Sequence, residues 1–367
     1  MKVPFVDLYR QYQLIQKDID GAINKVICDS AFVLGKYVEE FEGAFANYCG
    51  TKYCVGVSSG TDALLLSFIA IGLKSGDEVI TAPNTFFAST EPLGHIGVKP
   101  VFVDIEQKTH LIDINKIERA ITPKTKAILP VHLYGQMANM EVIMSIARKY
   151  NLKVIEDCAQ AHGAEQRGRK AGTFGDIGAY SFYPAKNLGA YGDSGCVVTS
   201  NEEYFNTVKM LRDHGRRDKY EHNMEGYNSR MDGIQGAILN TKLKYLNGWV
   251  ERRREIAELY GKLLSDEISK PLEVSLNKHA YHLYVIEVDR RDELLKYLRE
   301  QNIGAGIHYP IPLHLQRAYQ HLGLSEGLYP ECEKSCRRVI SLPIFPEMKQ
   351  EEIEFVANSV NSFVDGR

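Results

Sequence analysis

Between residues 52 and 200 the chain alternates short apolar runs with helix-like segments, and this rhythm limits the fold more than any other feature. Strands are expected over 53–57, 78–81, 100–103, 127–132 and 153–157, with helices over 61–71, 87–95, 114–121 and 139–150 between them. Near-continuous apolar strands separated by helices argue for βα units, hence a mostly parallel sheet covered on both faces. After residue 201 the pattern changes. Helices are expected over 202–212 and, long or slightly broken, over 232–264. They are followed by a strand at 281–288, a helix at 292–300, a short extended piece at 305–308, a strand at 339–342 and a helix at 351–363. With 367 residues to place, two domains are expected: 1–250, a large α/β domain, and 251–367, a small α+β domain. No Pro/Gly/Ser-rich linker separates them, so the long helix is expected to join them rigidly.

Composition excludes more than it assigns. A formal net charge of −3 offers no electrostatic reason to bind nucleic acid or an anionic membrane. Residues 1–10 are broken by charge and lack an apolar core, so no signal peptide is expected, and the longest apolar stretch, 63–73, is too short to span a bilayer. The seven cysteines are odd in number and scattered; Cys332 and Cys336 have helical spacing but no second Cys/His pair, so no metal site is expected. Reduced thiols in the cytoplasm are the plain reading.

The chemistry sits at the ends of the strands, where ligands gather in such sheets. The run 153–157 ends in Asp157 and continues into Cys158-Ala159-Gln160-Ala161-His162. The next apolar run, 177–182, leads through Ser181 and Tyr183 to Lys186 on a glycine-bounded loop. Upstream, Ser58-Ser59-Gly60-Thr61-Asp62 joins a strand to a helix, where free N–H groups and the helix dipole favour a phosphate. A lysine amine, a carboxylate and a phosphate cradle are the three parts that pyridoxal 5'-phosphate requires: a partner for its aldehyde, a counter-charge for its pyridine nitrogen, and an anion site. On this reading Lys186 and Asp157 are catalytic. Gly60, Thr61 and Ser181 hold phosphate, Phe86 stacks on the ring, and Gln160 bonds the ring oxygen. Each has a plainer local reading. Ser59 or Thr61 can cap a helix without a ligand, an acid at a strand end often caps the following helix, and one of Phe86 and Phe87 belongs to the core. His162 reads as local structure, and Glu156, which alternates to the opposite face, as structural or inter-subunit.

With these residues in place, the chain resembles the DegT/StrS-type nucleotide-sugar aminotransferases, which have the aspartate aminotransferase-like fold (PLP fold type I). The matching segments are Ser58 to Leu64, Glu156 to Ala161, Ser181-Phe182-Tyr183 with Lys186, and Gly226-Tyr227-Asn228-Ser229-Arg230-Met231. The resemblance implies a homodimer with composite sites, Asn228 reaching the neighbouring subunit's cofactor phosphate. It also implies L-glutamate as amino donor, 2-oxoglutarate as its product, and a nucleotide-linked ketosugar as acceptor. Many relatives have Gly-Glu-Gly-Gly after the lysine, whereas this chain has Gly189-Ala190-Tyr191-Gly192-Asp193-Ser194-Gly195. That version, with Gly306-Ile307-His308-Tyr309-Pro310, looks like the subset that aminates C3 of a dTDP-linked 3-keto-6-deoxyhexose, with Tyr183, His308 and Tyr309 facing the sugar. From local sequence alone, His308 and Tyr309 fit a packed strand end equally well. Lys219, in a basic group with Arg216 and Arg217, is expected on the ligand's diphosphate. C4 amination of a UDP- or dTDP-4-keto-6-deoxyhexose and a non-catalytic sensor remain as alternatives. Lys186 argues against the related sugar dehydratases, which resemble a pattern with histidine at that place. The lack of Gly-x-Gly-x-x-Gly argues against a dehydrogenase.

Overall fold

The computed structural model of the protein describes residues 1–366; Arg367, the last residue of the expected second domain, lies outside them. Seven strands form the main sheet: β1 (Tyr53–Val57), β2 (Glu78–Thr81), β3 (Lys99–Phe102), β4 (Thr125–Ile128), β5 (Lys153–Asp157), β6 (Ile177–Ser181) and β7 (Gly195–Thr199). Their order is β1-β7-β6-β5-β4-β2-β3. Strand β7 runs against both its neighbours, and every other pairing is parallel. The expected mostly parallel sheet is therefore present, with one reversed strand inserted between β1 and β6. Its core residues, such as Val55, Ile80, Ile128, Ile155, Ile177 and Val197, are fully or almost fully buried. Burial of this kind requires cover on both faces.

Helices cover those faces. Gly60–Ala70 follows β1 and is capped by Ser59, whose hydroxyl accepts from Asp62 N at 3.1 Å. Met140–Tyr150 starts at Asn139, whose side chain accepts from Val142 N, and ends at Asn151 with φ 51°. Asparagine tolerates that left-handed backbone better than most residues. Two helices, Leu8–Asp29 and Lys36–Cys49, precede the sheet and pack on Gly233–Leu243. The long helix expected over 232–264 is broken at Lys244 and Tyr245 into Gly233–Leu243 and Leu246–Leu263. The helices expected over 87–95 and 114–121 are each a single short turn joined to a 3₁₀ turn. The extended piece at 305–308 makes only an isolated bridge, Gly306 to Ser341.

The C-terminal part is built on an antiparallel pair, β8 (Tyr284–Glu287) and β9 (Val339–Leu342). Helices Arg291–Glu300 and Gln350–Val364 pack with it around Ile286, Leu294, Leu298, Ile340, Ile353 and Val356. Ile256 and Tyr260 of the long helix join this cluster, as does Val3, bridged to Ile303. Arg10 ties the N-terminal helix to it through Glu352, with Nη1 to Oε2 at 2.9 Å and Nη2 to Oε1 at 3.0 Å. Among the described residues no helix is long and apolar enough to cross a membrane.

Candidate active site

The carboxyl ends of β1, β5 and β6 meet the start of β7 at one edge of a cavity of about 500 Å³. Register explains the convergence. Gly195 pairs with Val57 on one side and Ser181 on the other, so the phosphate-loop candidate and the lysine-bearing segment flank the same residue. A Cβ on Gly195 would lie 2.4 Å from the Ser59 carbonyl, and one on Gly60 would lie 2.5 Å from Ser181 Cβ. Neither position tolerates a side chain without parting these segments. Gly195 is thus part of the site's construction; its only trace in the sequence is its place at the end of the glycine-rich loop.

Asp157 is buried at the end of β5. Its Oδ1 accepts from Ala159 N at 3.0 Å and its Oδ2 from Ser89 Oγ at 2.6 Å, while Ser89 is itself 2.8 Å from Thr85 Oγ1. These bonds fix the carboxylate's plane. The Thr85–Ser89 pair has no marker in the sequence beyond its nearness to Phe86. Lys186 Nζ faces the same cavity; burial draws its pKa down to about 8, and the negative charge of Asp157 opposes that fall. Gln160 is oriented at both ends. Its Oε1 accepts from Tyr134 N at 2.6 Å and its Nε2 donates to the Tyr309 hydroxyl at 3.2 Å. Tyr134, at φ 60°, also donates from its hydroxyl to the His308 carbonyl.

His308 Nδ1 lies 2.8 Å from Ser341 Oγ, and its ring stacks on Phe5. Burial pulls its pKa down to about 4, with the Lys186 charge acting in the same direction, so it is neutral near pH 7. The Tyr309 phenol is raised above its ordinary range, first by burial and then by the Asp157 charge. Phe86 is 57% exposed, its ring 5.6 Å from that of Tyr309, so it is Phe86 that stands free at the cavity while Phe87 packs on Tyr319.

Ten of the expected site residues line this one cavity: Gly60, Thr61, Phe86, Asp157, Gln160, Ser181, Tyr183, Lys186, His308 and Tyr309. Two do not. Asn228 is exposed and accepts from Arg230 Nε at 3.1 Å, and Lys219 borders a different cleft with Arg216 and Arg217, exposed beside Tyr220. His162 is buried between Tyr180 and Phe182, with a pKa drawn down to about 3 by burial and then by Lys186. Among the described residues one trio has metal-ligand spacing: His132, Glu156 and Cys158. Hydrogen bonds already occupy the carboxylate: Glu156 Oε1 accepts from Phe174 N and Gly175 N, and Oε2 from Gly172 N and His132 Nε2. That group is a brace for the loop after β5.

The profile of the DegT/DnrJ/EryC1/StrS aminotransferases matches residues 13–361. The chain belongs to that family. Among its relatives in the family is a dTDP-3-amino-3,6-dideoxy-alpha-D-galactopyranose transaminase of Aneurinibacillus thermoaerophilus. It is 46% identical over 98% of this chain and 99% of the relative. A pleiotropic regulatory protein of Geobacillus stearothermophilus is 44% identical over 99% of both chains. The crystal structure of S. venezuelae DesV in complex with a ketimine intermediate superposes with a TM-score of 0.97, at 40% identity and 99% coverage of each chain. This DegT-family chain is therefore an aminotransferase with the expected fold, and its cofactor is pyridoxal phosphate. The site fits that group on its own geometry: a lysine amine, an acid anchored by two donors, and a side-chain-free approach to a helix N-terminus at Gly60.

Proposed function

We propose that this enzyme moves an amino group from L-glutamate to the C3 keto group of a dTDP-3-keto-6-deoxyhexose, giving a dTDP-3-amino-3,6-dideoxyhexose. The transfer to a nucleotide-linked sugar rests on the family. The finer reading is supported by one observation above others: Tyr183, His308 and Tyr309 line the same cavity as Lys186 and Asp157. The resemblance assigns those three to the sugar of a C3-aminating subset, and the Aneurinibacillus relative is named for a dTDP-3-amino sugar.

When bound, pyridoxal phosphate supplies an aldehyde and an electron-accepting ring. We assign its phosphate to Gly60, Thr61 and Ser181 at the start of the Gly60–Ala70 helix, where unpaired N–H groups and the helix dipole attract an anion. Asp157, anchored by Ser89 and Ala159 N, places a negative charge for the pyridine nitrogen. Gln160 retains a second Nε2 proton for the ring oxygen, and Phe86 provides an apolar face. With a pKa of about 8, the Lys186 amine can release and recover a proton near neutral pH, and in each half-reaction it would move a proton between the substrate carbon and the cofactor carbon. Neutral His308 can donate to or accept from the sugar.

We assign Asn228 and Lys219 to the neighbouring subunit's site in a homodimer. Both lie outside the cavity of their own chain, and the nearby segments leave Phe32, Val33, Tyr220 and Tyr227 exposed. We also propose the division into 1–250 and 251–367, and a cytoplasmic enzyme, in keeping with seven unpaired cysteines.

The test is the absorbance of purified protein and of Lys186→Ala, each before and after glutamate. In the wild type, glutamate should shift the cofactor band, and a dTDP-3-keto-6-deoxyhexose should restore it. A wild type without bound cofactor, or a Lys186→Ala protein with the wild-type band and turnover, would refute the assignment. Binding without turnover would favour a sensor. Restoration only by a 4-keto sugar would move the reaction to C4.

A further inference from the structure

Arg253 is the cavity-lining cation that the reading above leaves without a task. It projects from the Leu246–Leu263 helix and is 4% exposed. All three of its hydrogen bonds run from Nη1, to the carbonyls of Tyr281 at 3.1 Å, His282 at 3.3 Å and Ile344 at 2.9 Å. Its Nε is enclosed and has no acceptor. Its Nη2 makes no hydrogen bond among the described residues and is not among the enclosed unpaired atoms, so this edge is the part that meets the cavity. No carboxylate pairs with the guanidinium among the described residues; Glu347, whose charge it feels, does not reach it as an ion pair.

A buried cation normally has a counter-charge, because removing it from water alone is costly. Carbonyl dipoles on one nitrogen answer part of that cost and leave the N–H groups of Nη2 unspent toward the cavity. A guanidinium nitrogen with free N–H groups is a strong, charge-assisted donor to a carboxylate oxygen. The neighbouring His282 repeats the pattern: its ring lines the cavity, its Nδ1 is enclosed without a partner, and its Nε2 makes no hydrogen bond among the described residues and is not among the enclosed atoms. The site therefore holds two groups with unused hydrogen-bonding capacity, away from the Gly60 cradle assigned to phosphate. The residues assigned so far hold a cofactor, a sugar and a diphosphate, and none is committed to the carboxylates of the amino donor.

We infer that Arg253, assisted by His282, binds a carboxylate of L-glutamate and of its product 2-oxoglutarate. The inference rests on the transaminase reading and adds a donor subsite to it. Donor and sugar occupy the cavity in turn, so a group serving only the donor should separate the two half-reactions.

The experiment uses cofactor-loaded wild type, Arg253→Gln and Arg253→Lys. Glutamate and the dTDP-amino sugar are titrated separately by the change in cofactor absorbance, and glutarate, which has the carboxylates without the amine, is titrated as a competitor. Arg253→Gln should weaken glutamate and glutarate by about a hundredfold and leave the amino-sugar half-reaction within threefold, roughly, of wild type. Arg253→Lys should fall between. Unchanged glutamate affinity, or equal losses for glutamate and amino sugar, would overturn the inference and make Arg253 a brace for the three carbonyls. Should both variants fail to fold, a crystal of the wild type soaked with glutarate decides the matter. A carboxylate on Arg253 Nη2 supports the inference, and one held elsewhere overturns it. A wild type that binds glutarate at Arg253 but never responds to glutamate would instead refute the transaminase reading.

Discussion

Gly60→Ala tests the idea that the helix N-terminus and the lysine-bearing segment form one phosphate cradle. The added methyl would stand 2.5 Å from Ser181 Cβ and 3.0 Å from its Cα, both inside van der Waals contact. In the cofactor-free protein the two segments can part by a few tenths of an ångström and shed most of the strain. With cofactor bound they cannot, because Gly60, Thr61 and Ser181 must then close on one phosphate. The overpacking cost, about 1–3 kcal/mol, should therefore appear mainly in cofactor affinity. At about 1.4 kcal/mol per factor of ten, affinity for pyridoxal phosphate should weaken roughly 5- to 150-fold. The melting temperature of the cofactor-free form should move little. Titration of cofactor-free protein, read by absorbance and by thermal unfolding, measures both. Gly43→Ala is the control: it lies in the Lys36–Cys49 helix with nothing within 4 Å of its Cβ position, and should stabilise by about 0.5–1 kcal/mol without touching cofactor affinity. A Gly60→Ala protein with wild-type affinity would show that Ser181 and Gly60 do not grip the same group.

Ser89→Ala should lower stability by about 1–3 kcal/mol and slow turnover, because Asp157 Oδ2 and the Thr85 hydroxyl both lose a buried partner; wild-type melting and kcat would count against the relay. Glu156→Gln should cost about 1–3 kcal/mol in chemical denaturation, since an amide NH₂ cannot accept the backbone N–H groups that now share the carboxylate. A loss below about 1 kcal/mol would mean the loop is braced by other contacts. Lys186 predicts a pH signature in the cofactor-free protein. Between about pH 8 and its ordinary value of 10.5, the unfolded chain binds the proton that the folded lysine has lost, so stability rises with pH over that window. Lys186→Met should lack this gain, up to about 3 kcal/mol, although Lys242, with a pKa also near 8, contributes equally to both proteins. Parallel stability curves for the two would contradict the depressed lysine.

The parts of the site that were legible in the sequence share one property: their surroundings are local. Asp157 and Lys186 follow apolar strands directly, and Gly60 and Thr61 lie where a strand becomes a helix, so strand polarity alone brings them to one edge. The hidden parts depend on partners far along the chain. Ser89 acts through Asp157, 68 residues away, and Gly195 matters only because β7 is inserted between β1 and β6. Asn228 and Lys219 lie outside the cavity of their own chain, so their assignment rests on a second subunit that a single chain does not contain. Arg253 is the instructive case. Within Glu251-Arg252-Arg253-Arg254-Glu255 it looks like one charge on a solvated helix face. Yet Leu246, Val250, Ile256, Ala257 and Tyr260 are the buried apolar residues of that helix, and helical periodicity places Arg253 inside their stripe. An arginine at an apolar register position must find its hydrogen bonds inside the protein. Here the fold supplies them at Nη1 only; Nε is enclosed, and Nη2 is left to the cavity where an anionic substrate would arrive.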